Sequence, residues 1–153
     1  STTGWKIGWA TGPAPLITAV NTVKQYLTYS NGTPFQPAIA TGLRLHDSFF
    51  EGIASELALK RDILGAGLRA AGFTVSEPRG SYFTVADASP LGVTDAAAFC
   101  RDLPQRAGVV GVPVSAFVTA EHRAEYATLV RFAACKRVKV LEDAAARLAA
   151  LSD

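Results

Sequence analysis

From residue 13 to about residue 29 the apolar side chains Leu16, Ile17, Val20, Val23 and Leu27 return every three or four positions. An α-helix gathers such positions onto one face, so the spacing predicts an amphipathic helix, entered through Pro13 and Pro15 in its first turn. A longer stripe of Phe50, Ile53, Ala54, Leu57, Leu64, Leu68 and Ala71 begins after the capping-type residues Asp47 and Ser48 and stops at Gly72. On its outer face Glu56 and Lys60 stand one turn apart, a pairing worth about 0.2–0.5 kcal/mol. Three shorter helices are expected. One spans residues 35–45, one runs from Thr94 or Asp95 through Ala96, Phe99 and Leu103 to be kinked or closed at Pro104, and one covers 138–151 with Leu141, Ala144, Ala145, Leu148 and Leu151 inward.

Between these helices lie short β-prone runs. Residues 5–10, rich in aromatics and closed by Gly12 and Pro13, read as a strand. Residues 73–75 and 81–86 read as two strands around Pro78, Arg79 and Gly80, and 109–112 and 129–135 as two more, with a long loop between the last pair. The pattern implies an α/β chain in which helices cover one face of a small sheet, preceded by a strand and helix that belong to something larger.

Composition narrows the classes. With 153 residues the chain has the length of one ordinary domain, and its 49% hydrophobic content supports a core. No apolar run reaches the roughly 18 residues of a membrane-spanning helix, so a soluble protein is expected. The net charge is +2 with basic residues interleaved among acids, so nucleic-acid binding is not expected. Cys100 and Cys135 lack metal or redox spacing, and both lie in apolar runs, where a buried free thiol is the ordinary reading and suits a reducing cytoplasm. The absence of Met and of a charged leader with an apolar core leads to the expectation that the chain is a piece of a longer protein.

Arg131 most needs an explanation, because it is a permanent cation in the run 129–135, whose other members are apolar residues and one cysteine. A buried charge is costly unless paired and hydrogen-bonded, and the planar guanidinium fork suits two-point binding of a carboxylate. The residues alone leave three readings open: a ligand carboxylate, a structural ion pair with an Asp or Glu, or an arginine on the wet face of the strand. Lys6, between Trp5 and Trp9, must likewise reach solvent or meet an anion such as a phosphate. The segment Gly80, Ser81, Tyr82, Phe83 and the segment from Val112 to Phe117 each place a hydroxyl near a strand end. His46 reads as a helix-boundary residue and His122 as a surface one, and no metal constellation or phosphate-loop pattern stands out.

Taken together and in order, several segments resemble the C-terminal portion of the class I/II (fold-type I) pyridoxal-phosphate-dependent aminotransferases. They are residues 3–9, 33–38, Gly80-Ser81-Tyr82-Phe83, 112–117, Val130-Arg131-Phe132 and Cys135-Lys136. The likeness is strongest to the branch holding kynurenine/glutamine transaminases and N-succinyldiaminopimelate aminotransferases, and it spans almost the whole chain.

The resemblance implies that residues 1–34 end a large cofactor-binding domain and residues 35–153 form a small domain that includes the long connecting helix. It implies that Arg131 grips the substrate carboxylate, that Lys6 meets the phosphate of pyridoxal 5'-phosphate, and that Tyr82 and Ser115 border the substrate pocket. Tyr29 and Ser30 match a loop that reaches toward the partner subunit's site in a homodimer. The Schiff-base lysine would lie just before Ser1, and none of Lys24, Lys60, Lys136 or Lys139 sits in a matching motif. The implied activity moves an amino group between an amino acid and a 2-oxo acid in the cytoplasm, with the diaminopimelate branch of lysine biosynthesis favoured by the Tyr29–Gly32 loop and Cys135-Lys136. Carbon–sulfur lyases and cofactor-binding transcriptional regulators share such C-terminal halves and stand as alternatives, as does a non-catalytic self-associating domain.

Overall fold

The computed structural model describes residues 2–151, and the chain divides into two compact units, Ser1–Phe49 and Phe50–Asp153. In the first, helix α1 (Ala14–Leu27) follows Pro13, with Pro15 tolerated because the first turn needs no internal N–H bond, and helix α2 is Phe35–Gly42. Both match the apolar spacing. Residues 5–10, in contrast, are irregular rather than a strand. A strand exists only through hydrogen bonds to a neighbouring strand, and among its described residues this unit contains helices and turns alone. The opening segment is held instead by packing. Trp5 stacks on Phe35 with ring centroids 4.7 Å apart, and Ile7 sits so close to Gly32 (φ 59°) that a side chain there would collide with it.

The second unit is built on helix α3 (Asp47–Ala70), in which Asp47 and Ser48 are helical residues rather than caps, the Ser48 amide donating instead to His46 Nδ1 at 3.2 Å, and which carries the Glu56–Lys60 pair at 2.5 Å. The chain leaves α3 through Gly72 at φ 90°, a conformation that costs a side chain dearly. Strands β1 (Thr74–Val75) and β2 (Phe83–Asp87) follow, then helix α4 (Ala96–Ala107), strands β3 (Val112–Pro113) and β4 (Leu129–Ala133), and helix α5 (Val138–Ala149). The four strands form one antiparallel sheet in the order β1-β2-β4-β3.

Alternation along β2 and β4 divides the sheet. Thr84, Ala86, Val130 and Phe132 are buried, whereas Phe83, Val85, Asp87, Leu129, Arg131 and Ala133 are half-buried on the other face. The core joins the buried face to Leu64 and Leu68 of α3, Phe99 and Leu103 of α4, and Leu141 and Leu148 of α5. Phe73 meets the rings of Phe99 and Phe132 edge-on, at 6.0 and 5.8 Å. Helices α3 and α5 approach so closely that a Cβ on Gly67 would lie 2.3 Å from that of Ala145.

Three expectations are corrected. Helix α4 does not close at Pro104 but runs to Ala107, where Gly108 at φ 61° caps it; burial of Leu103 and Ala107 outweighs the one hydrogen bond the proline removes. The region after β3 is not a plain loop, since Val114–Phe117 and Ala120–Tyr126 form 3₁₀ turns. Cys135 is exposed rather than buried, because β4 ends at Ala133 and the thiol falls in the turn before α5. Cys100 is buried as expected, and burial, with a lesser push from the Asp95 charge, raises its thiol to about 11. No helix among the described residues is long and apolar enough to cross a membrane.

Candidate functional site

Arg131 lies in the middle of β4, paired with Val85 of β2 on one side and Val112 of β3 on the other. Strand alternation turns its side chain to the face opposite the helices, which explains how a cation occupies an apolar run without entering the core. Its guanidinium carbon is 4.1 Å from the ring centre of Phe83 and 4.2 Å from that of Phe117. Phe83 is the diagonal neighbour of Arg131 on β2, and Phe117 comes from the turn that follows β3, so the two rings flank the guanidinium from either side of its strand. Such ring contacts are worth about 0.5–2 kcal/mol each as desolvation increases.

No carboxylate pairs with Arg131 among the described residues. The acid on this face of β2, Asp87, is occupied locally. It accepts hydrogen bonds from the Ser89 amide at 2.9 Å and the Ser89 hydroxyl at 2.8 Å. The amide bond above all, then the hydroxyls of Thr128 and Ser89, hold its carboxyl below the usual range against the opposing effect of burial. Of the three readings of Arg131, the structural ion pair finds no partner among the described residues, and the side chain lies half-buried against two rings on the sheet face opposite the helices.

Tyr82 packs its ring against Phe83 at 4.4 Å, and its carbonyl accepts from the Ala134 amide at 2.8 Å, which fixes it beside the end of β4. Ser115 shares the turn of Phe117 but lines a separate cavity of about 460 Å³ with Thr94, Asp95, Ala97 and Arg123, at the start of α4. The structure thus sets Tyr82 against Phe83, one of the rings that meet Arg131, and turns Ser115 to the neighbouring hollow.

In the first unit Lys6 is exposed, with its backbone in the left-handed region at φ 55°. It lines a cavity of about 400 Å³ together with Trp9, Lys24, Asn31 and Gln36. Two lysines and no acid line that cavity, a setting for an anion. Lys24 also donates to the Tyr29 carbonyl at 3.2 Å, and Ser30 is hydrogen-bonded to Thr33 at 3.0 Å, so the exposed loop of Tyr29 and Ser30 is tied to the end of α1. Among the described residues, the non-glycine residues at positive φ are Lys6, Tyr29 (51°) and Ser81 (61°), and each lies in or beside a segment singled out by sequence. Backbone strain of this kind costs about 1–3 kcal/mol and collects at functional positions.

Phe83, Phe117 and Lys24 escaped the sequence reading. The first two stood inside segments noticed for their hydroxyls, and only the pairing of β2 with β4 reveals that their rings meet Arg131. Lys24 carried the ordinary signal of a basic residue in a helix's last turn.

Residues 1–148 match the family model described as aminotransferase class I and II. The chain is 45% identical over 157 aligned residues to a probable N-succinyldiaminopimelate aminotransferase, DapC, of Mycobacterium tuberculosis, covering 99% of this chain and 40% of that protein. It is 34% identical to kynurenine–oxoglutarate transaminase 3 of Rattus norvegicus, over 94% of this chain and 35% of that protein. Among solved structures, the N-succinyldiaminopimelate aminotransferase of Mycobacterium tuberculosis superposes with a TM-score of 0.88 at 46% identity, across 97% of this chain and 38% of that one. The Escherichia coli methionine aminotransferase YbdL gives 0.84 at 34% identity, again over 97% of this chain and 38% of that one. The chain therefore spans about two fifths of the length of these relatives.

Proposed function

Because the chain belongs to the aminotransferase class I and II family, we propose that it serves an enzyme moving an amino group between an amino acid and a 2-oxo acid, with Arg131 receiving the substrate's α-carboxylate. The observation that carries this is a half-buried guanidinium flanked by two rings and paired with no carboxylate among the described residues. Its N–H edge offers two parallel donors to the two oxygens of an acid.

Pyridoxal 5'-phosphate is the family's cofactor, and the residues of the first unit fit its phosphate: Lys6 and Lys24 face one cavity that no acid lines. When bound, the cofactor supplies the electron sink for amino transfer. On this reading Lys6 holds the phosphate by charge, and Tyr29 and Ser30 extend toward the site of a second subunit in a homodimer. Tyr82 borders the substrate beside Phe83, while Ser115, which lines the separate cavity at the start of α4, borders it only through the turn it shares with Phe117. Residues 1–34 end the large cofactor-binding domain, residues 35–153 form the small domain, and the lysine that attaches the cofactor comes from outside this chain. The 45% identity to the Mycobacterium tuberculosis protein favours a succinylated diaminopimelate as the amino donor and lysine biosynthesis as the setting. The free thiols Cys100 and Cys135 suit the cytoplasm.

The test is Arg131→Ala in the intact enzyme carrying this chain. Loss of a partner for a substrate carboxylate is expected to weaken kcat/KM by about 2–5 kcal/mol for amino acid and oxo acid alike. Unchanged KM values for both substrates would remove Arg131 from the site.

A further inference from the structure

We infer that Phe83 and Phe117 are positioning residues that set the orientation of the Arg131 guanidinium and thereby make the site selective for a planar carboxylate over a tetrahedral anion. This rests on Arg131 being the carboxylate receptor.

The argument begins with what else could hold the side chain. Arginine carries several rotatable bonds, and a guanidinium on an open sheet face is ordinarily fixed by an ion pair or by hydrogen bonds to carbonyls. Arg131 has neither among the described residues, and Asp87, on the same face, is engaged with Ser89. What remains is the pair of rings at 4.1 and 4.2 Å. One ring belongs to β2 and the other to the turn after β3, and both lie within contact of the guanidinium, so its swing is limited by phenyl rings from two elements.

The rings are themselves supported differently. Phe83 stands on a paired strand, with the Tyr82 ring tilted against it at 4.4 Å, whereas Phe117 closes a 3₁₀ turn and is 57% exposed. Phenyl rings attract a cation but cannot accept its hydrogen bonds in the plane, so the N–H donors stay free for a ligand. With rings on either side, an acceptor is admitted along the guanidinium edge. A carboxylate presents two coplanar oxygens to that edge and nothing else, whereas a phosphonate engaging two oxygens carries a third and its carbon out of the guanidinium plane, on the sides where the rings stack. An ion-paired arginine would have to release its partner before binding substrate, and here that exchange is unnecessary.

The experiment uses the intact enzyme carrying this chain, with acetate and methylphosphonate as competitive inhibitors of amino transfer. Phe83→Leu and Phe117→Leu keep the bulk apolar and remove the ring. Each is expected to weaken acetate about tenfold, to raise KM for amino acid and oxo acid with kcat nearly unchanged, and to lower the preference for acetate over methylphosphonate. Phe117→Tyr, which keeps a ring, is expected to restore all three readings. If Arg131→Ala leaves acetate inhibition as it was, the carboxylate reading itself falls. If Arg131→Ala weakens acetate while both leucine variants behave as the unaltered enzyme, the inference alone is overturned. Equal losses for acetate and methylphosphonate, without rescue by tyrosine, would also overturn it, since they would reduce the rings to packing. Phe117 is more than half exposed, so Phe117→Leu carries the test even if Phe83→Leu folds poorly.

Discussion

Helices α1 and α3 have the same kind of apolar spacing, yet one holds no buried residue and the other anchors a core. On α1, Leu16, Val20, Val23 and Leu27 are between 51% and 77% exposed. On α3, Leu64 and Leu68 are 3% and 0% exposed, packed with residues of β2, β4, α4 and α5. Amphipathic spacing is thus a demand for a partner surface and says nothing of whether the same chain supplies it. Residues Phe50–Asp153 meet that demand internally, while the stripe of α1 remains available.

The strongest way to break this contrast is Leu68→Ala. Removing a side chain with no exposed surface should cost about 2–5 kcal/mol in urea unfolding, through lost transfer energy and the cavity left behind. A loss as small as that of a surface substitution would mean that the core is not where the contacts place it.

A smaller effect is expected at Asp95. Its carboxylate accepts from the amides of Ala97 at 2.8 Å and Ala98 at 3.1 Å and so caps α4. Asp95→Ala should destabilise the second unit by about 0.5–2 kcal/mol. Hydrogen exchange of the first-turn amides of α4 should accelerate with it, and unaltered exchange would show that the cap carries no weight.

The smallest change belongs to Val23→Ala on the exposed stripe of α1. It should stay within about 0.5 kcal/mol in the chain by itself, since little burial is lost and alanine favours helix. A substantially larger cost would show that the stripe is covered in solution.

What the sequence made legible follows the same division. The helices and the capping role of Asp95 were readable because period and cap chemistry are local. Residues 5–10 have a strand's composition, but a strand is a relation between two segments, and one segment alone does not carry it. Helix α4 passes Pro104 because buried neighbours override a local penalty. At the site, Arg131 stood out as a charge among apolar residues, while its flanking rings depended on the register of β2 against β4 and on a turn whose residues gave no periodic signal.

That turn has a consequence for how such a site could diversify. In a 3₁₀ turn each residue is rotated by about a third of a circle from the last. Ser115 therefore looks into the hollow at the start of α4 while Phe117, two positions on, meets the guanidinium. Inserting a single residue between Pro113 and Phe117 would turn the phenyl away from the guanidinium and leave every strand pairing untouched. A family could in this way alter what greets an incoming acid by editing chain length, without a substitution in the sheet.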